Sequence, residues 1–268
     1  MKPGSKRVLT LLLAVVASVG TASGATAASS DTSEYVALGD SYASGVGTST
    51  YDPSGGDCRR SPLGYPTLWA KSHPQYTLKN VSCSGATVAD VEAGQLSALS
   101  SETDRITITV GGNDVGFTST LENCLTGDDN LCGVSTQLST FYAENYLKAK
   151  LDSLFSKIHE RAPQAKVYVL GYPHLVAPAG TCNLFSSTSP KPAMMNATAD
   201  AVDEAVKNAA ATANFGFIDV RQRFSGHEAC GTDAWINSVN LTQLVESFHP
   251  TADGYAQGYA PYLDLFMG

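Results

Sequence analysis

The chain has 268 residues, 43% of them hydrophobic and 16% charged, with a formal net charge of −8. That balance excludes nucleic acid and anionic surfaces as electrostatic partners. The length and apolar content suit one large domain that buries its core without a metal or a partner chain.

Residues 1–28 read as a secretory signal peptide. Lys2, Lys6 and Arg7 precede the apolar run "VLTLLLAVVASV" at 8–19, and Ala25-Thr26-Ala27 forms a small-residue cleavage site. The apolar run is shorter than the roughly 20 residues a spanning helix needs. No later segment is long enough either, so no stable membrane anchor is expected. Cleavage after Ala27 or Ala28 leaves residues 29–268 as a single domain, secreted and extracellular. The leader holds 3 of the 17 Lys+Arg and none of the 25 Asp+Glu, which leaves the mature chain at −11.

Apolar, β-rich runs then recur at 35–38, 76–81, 105–110, 166–170 and 215–220. Helical patterns alternate with them. The clearest is 142–161, where Leu147, Leu151, Leu154, Phe155 and Ile158 fall on one face and Pro163 ends the pattern. Another covers 193–213, with Met195, Val202 and Val206 as its apolar stripe. Shorter helices fit 63–73 and 87–99. Segments 48–62, 118–138 and 175–192 are turn-rich and read as surface loops. Strands alternating with helices predict an α/β fold with a parallel sheet covered on both faces.

Six cysteines, Cys58, Cys83, Cys124, Cys132, Cys182 and Cys230, all follow the leader. An even count in a secreted chain reads as three disulfides. Pairing sequence neighbours (58–83, 124–132, 182–230) is the simplest arrangement, although spacing alone does not select it. A zinc site lacks the expected ligand spacing, and "GDDN" at 127–130 lacks that of an EF-hand. No metal and no cofactor are expected.

In an open parallel sheet, ligands bind beyond the carboxyl ends of the strands. The first strand runs into "GDSYASG" with Ser41, the second into "SCSGAT" with Gly85 and the third into "GGND" with Asn113. "SFHPTADGY" with His249 lies before a last helix. Acyl transfer needs a nucleophile, a base and oxyanion donors. Ser41 is the candidate nucleophile. Among five histidines, His249 is the candidate base, because Pro250 and the following turn hold it in a loop.

Together, in this order, the four blocks resemble the SGNH hydrolases, or GDSL esterase/lipase family, and in particular its secreted actinobacterial lipases and phospholipases A1. The resemblance implies a flavodoxin-like three-layer α/β/α sandwich with a five-stranded parallel sheet. It also implies neighbour pairing of the cysteines. Ser41 and His249 become the catalytic pair. The Ser41 and Gly85 amides and the Asn113 side chain become the oxyanion hole. The family's third member, an Asp three residues before the His, is here Glu246. Either Glu246 or the Ser247 backbone carbonyl orients His249, and Asp40 braces the turn at Ser41.

The expected activity is release of fatty acyl chains from lipid esters through an acyl-Ser41 intermediate. Phospholipase A1, acyltransferase and carbohydrate esterase activities, and a catalytically silent binding protein, are the alternatives. The expected partner is a lipid or small ester, bound by a monomer, with no nucleic acid.

Overall fold

The computed structural model describes residues 1, 4, 32–178 and 184–268. Apart from Met1 and Gly4, the expected leader lies outside the described residues.

The five strands are β1 (Ser33–Gly39), β2 (Tyr76–Asn80), β3 (Thr103–Thr109), β4 (Lys166–Leu170) and β5 (Gly216–Ile218). They form one sheet in the order β2-β1-β3-β4-β5, and every pairing is parallel. This is the flavodoxin-like order. β1 lies inside the sheet, between β2 and β3, with both its faces covered, and Tyr35, Val36, Ala37 and Leu38 are all buried. A continuous apolar run is what a doubly covered strand requires. β2 lies at the edge and alternates half-buried with exposed residues.

The helices supply the crossovers: α1 (Ser41–Ser44), α2 (Tyr65–Ser72), α3 (Val88–Asp90), α4 (Phe117–Thr126), α5 (Asp129–Tyr142), α6 (Lys148–Arg161), α7 (Lys191–Thr212), α8 (Arg221–Phe224) and α9 (Ala260–Met267). Right-handed crossovers put α2 and α9 on one face of the sheet and α3, α6 and α7 on the other. In agreement, α2 contacts α9, and α6 contacts both α3 and α7. α6 buries Leu151, Leu154, Phe155 and Ile158. Truncating one of these, such as Phe155→Ala, costs about 3–5 kcal/mol. Among the described residues, no helix is long and apolar enough to cross a membrane.

One expectation is corrected. Residues 118–138 are not a surface loop but most of α4 and α5, which meet at Gly127. A wide π turn at Ala143–Leu147 then joins α5 to α6, so the helix predicted over 142–161 begins at Asp129. Its start is set by Asp128, whose side chain accepts from the Leu131 amide. The pattern misleads because the amphipathicity of α5 is inverted. Its buried residues are Cys132, Gly133, Thr136 and Ser139. Its exposed face carries Leu131, Val134, Leu138, Phe141 and Tyr142.

Disulfides join Cys58 to Cys83 and Cys124 to Cys132. The first ties a 3₁₀ turn at Pro53–Cys58 to the loop after β2, and the second ties α4 to α5. Cys230 is also disulfide-bonded, and Cys182 lies outside the described residues.

Candidate active site

β1 ends at Gly39, whose φ is +119°, and a Cβ there would stand 2.2 Å from the Thr109 carbonyl oxygen. Only glycine lets the end of β1 lie this close to β3. Asp40 then caps α1, its Oδ1 accepting from the Tyr42 amide at 2.9 Å. Ser41 therefore opens a one-turn helix directly beyond the strand. Asp40 is buried, and its Oδ2 accepts from the Tyr172 hydroxyl at 2.6 Å. Burial pushes its carboxyl up to about 7, against the opposing pull of the Tyr172 and backbone hydrogen bonds.

His249 Nε2 lies 2.7 Å from Ser41 Oγ. His249 Nδ1 lies 3.1 Å from the Ser247 carbonyl oxygen. A carbonyl only accepts, so Nδ1 carries the proton, and the Nε2 lone pair faces the Ser41 hydroxyl. Glu246 is elsewhere. It is 1% exposed and accepts from Ser49 Oγ at 2.8 Å, Tyr51 Oη at 2.5 Å and Asn240 Nδ2 at 3.3 Å. Of the two candidate orienting groups, the Ser247 carbonyl is the one at hydrogen-bond distance from the ring.

The histidine loop is built tightly. Gly47, at φ +101°, passes so close that a Cβ would stand 2.3 Å from the Pro250 oxygen and 2.9 Å from the His249 Cβ. Asn237 Nδ2 donates to the Gly47 and His249 carbonyls at 2.8 and 3.1 Å. The Tyr42 hydroxyl donates to the Phe248 carbonyl at 2.6 Å, and its ring centroid lies 5.0 Å from that of His249. Phe248 itself has φ +59°, a costly conformation for a bulky residue, of a kind that clusters at functional sites. Burial of the imidazole pulls its pKa down to about 4, while the Ser247 hydrogen bond and the Glu246 charge act the other way.

Asn113 follows β3, and its Nδ2 donates to the Ala86 carbonyl at 3.0 Å. That bond links the Asn113 turn to the Gly85 loop and leaves the second amide hydrogen available. The loop is fixed by Cys83 N–H donating to Gly39 O at 3.0 Å and Ser84 N–H to Cys58 O at 3.1 Å. The Ser41 and Gly85 amides have no hydrogen-bond partner among the described residues. Ser41, Asn113 and His249 line one cleft, and Gly85 is adjacent to it through Ala86 rather than in its lining.

Two features were not visible in the sequence. The cleft wall is apolar, formed by Phe117 and Leu121 of α4, Leu175, and Ala199 and Val202 of α7. These residues come from three segments distant in sequence. Tyr172 is the other. Beyond its bond to Asp40, its hydroxyl accepts from the Gly112 amide at 3.1 Å, and its own amide donates to Asp203 Oδ1 at 2.8 Å. It thus joins the turn before Ser41 to the turn before Asn113. The signal was its place just after β4, at the same rim as the other site residues.

The fold and the hydrogen-bonded Ser–His pair at the sheet's carboxyl rim define the class, an α/β/α ester hydrolase. Residues 37–257 match the GDSL-like lipase/acylhydrolase family, and the chain belongs to that family. It is 41% identical over 254 residues to lipase 1 of Streptomyces coelicolor, covering 95% of this chain and 94% of that one. The crystal structure of an extracellular lipase from Streptomyces rimosus superposes with a TM-score of 0.84 at 42% identity, over 87% of this chain and 99% of that one. A phospholipase A1 from Streptomyces albidoflavus gives a TM-score of 0.84 at 38% identity, over 87% and 99%.

Proposed function

We propose that this chain is a secreted, monomeric hydrolase that releases fatty acyl chains from lipid esters, with Ser41 as nucleophile and His249 as base. The observation that carries the reading is the 2.7 Å contact between His249 Nε2 and Ser41 Oγ, with Nδ1 held by the Ser247 carbonyl. His249 takes the hydroxyl proton as Ser41 Oγ attacks the ester carbonyl carbon. The negative charge that develops on the carbonyl oxygen rests on the Ser41 amide, the Gly85 amide and the Asn113 side chain. The tetrahedral intermediate collapses, the alkoxide leaves with the proton from His249, and acyl-Ser41 remains. Water, deprotonated by His249, attacks the acyl carbon, and the fatty acid leaves Ser41.

The apolar cleft wall supports a long acyl chain over a sugar acetate. Residues 1–28 act as the leader and 29–268 as the working domain; the two disulfides and the extracellular Streptomyces rimosus relative support secretion. Phospholipase A1 activity is the second reading, favoured by the Streptomyces albidoflavus structure. A panel of triacylglycerol, phosphatidylcholine and acetylated sugar, with products identified, decides the substrate. Free fatty acid from either lipid supports the proposal, and release of acetate alone contradicts it. Ser41→Ala is expected to abolish release while the circular dichroism spectrum is kept.

A further inference from the structure

α5 exposes apolar side chains where a soluble helix normally exposes polar ones. Val134 is 65% exposed, Leu138 56% and Phe141 50%, with Leu131 and Tyr142 beside them, and Tyr146 of the following π turn is 52% exposed. Spacings of three and four residues align them in one stripe. The side facing the protein is already filled by small and polar residues, with the Thr120 and Ser139 hydroxyls 2.7 Å apart. The stripe is therefore not a core face left unburied by accident.

Its position relates it to the active site. The Leu147 side chain packs at Gly111, just beyond the end of β3. From Leu147 the helix runs down along the sheet as α6, and in the other direction α5 extends past the carboxyl rim. At about 1.5 Å per residue, Leu131 stands roughly 24 Å beyond Leu147. The inner side of this overhang packs on α4, whose Phe117 and Leu121 form the cleft wall. Leu241 and Leu244, 83% and 67% exposed, lie on the loop that leads to His249. Exposed apolar groups thus lie on the helix that backs the cleft wall and on the loop that carries the base.

Charge selects the surface that fits them. Residues 106–147 contain no Lys or Arg but hold Asp114, Glu122, Asp128, Asp129 and Glu144. An anionic surface would be repelled.

Resting on the lipid-ester reading above, we propose that the outer face of α5 docks the enzyme on aggregated lipid of no net charge, setting the cleft mouth against the interface. The test uses the Ser41→Ala protein, which leaves the lipid intact, sedimented with phosphatidylcholine vesicles. The Ser41→Ala protein is expected to co-sediment. Adding Val134→Ser, Leu138→Ser and Phe141→Ser is expected to weaken partitioning by about tenfold or more, since three exposed apolar side chains are lost. Leu265→Ser with Phe266→Ser serves as control, because α9 ends near His73, at the opposite edge of the sheet. That pair is expected to leave partitioning unchanged. No co-sedimentation, equal loss in the control, or tighter binding to phosphatidylglycerol vesicles overturns the proposal. So does a dimer in sedimentation velocity that the triple substitution dissolves, since a second copy would then be the occupant. With Ser41 intact, the triple variant is expected to keep hydrolysis of p-nitrophenyl acetate within about twofold, because those three residues touch neither Ser41 nor its donors. That assay reads the Ser41 chemistry alone, so its failure is distinct from failure of docking.

Discussion

Ser247 serves the site through its carbonyl, so no side-chain change at position 247 removes the acceptor that holds His249. Glu246 is the residue to test. Both its oxygens are taken by Ser49, Tyr51 and Asn240, so its work is to brace the loop. A carboxylate acting on the imidazole would cost about 10⁴ in turnover when removed. Glu246→Ala is expected to lower kcat/KM by less than about tenfold. Its larger effect falls on stability, since it empties a buried carboxylate site and removes the charge-assisted hydrogen bonds from Ser49, Tyr51 and Asn240, each worth about 1.5–3 kcal/mol. Paired kinetics and thermal melts read the two effects separately. The imidazole also sets a pH limit. Its pKa is drawn down to about 4 from the ordinary 6.5, so the neutral base persists in mild acid. The acidic limb of kcat/KM on a soluble ester is expected well below pH 6.5, approaching 4, with a flat profile above it. A limb at or above neutrality would contradict this.

The segments just beyond the strands carry the reacting groups, and they are braced against one another. The Cys58–Cys83 disulfide closes a loop with a sequence separation of 25, which in the chain-entropy account is worth about 3–4 kcal/mol. Cys83 and Ser84 also fix the Gly85 loop through their amides. Replacing both cysteines by Ala is therefore expected to lower Tm and turnover together. Removing Cys124–Cys132, away from the Gly85 loop, is expected to lower Tm with turnover largely kept.

The same elements show what the sequence made readable. The five strands were legible because buried parallel strands are apolar runs. Ser41 and Asn113 were legible because each comes just after a strand, and His249 because Pro250 and a turn follow it. α5 was not, because its buried face is Thr, Ser, Gly and Cys and its outer face apolar. Tyr172 was missed because its partners, Asp40 and Gly112, lie far away in the chain. Nor could the sequence choose between Glu246 and Ser247, since that turns on which oxygen faces one ring nitrogen.

At the scale of the whole molecule, the buried Asp40 and the half-buried His249 give stability opposing pH dependences. The raised Asp40, at about 7 against an ordinary 3.8, contributes stability that is present below 3.8 and lost as pH rises through about 7. The lowered His249 contributes stability that is present above 6.5 and lost as pH falls through about 4. Asp40→Asn isolates the first. Urea unfolding at about pH 5 and about pH 8 is expected to show a decline in the parent protein that exceeds the variant's by roughly 2–3 kcal/mol. All of this surrounds one claim, that Ser41 is the group the acyl chain is passed to. The direct measurement is mass spectrometry of the protein after reaction with an alkyl phosphonate ester. The expected result is a single adduct on the peptide carrying Ser41, absent in Ser41→Ala and strongly slowed in His249→Ala. Inhibition with the adduct on any other residue, or hydrolysis that survives full modification of Ser41, would contradict the account.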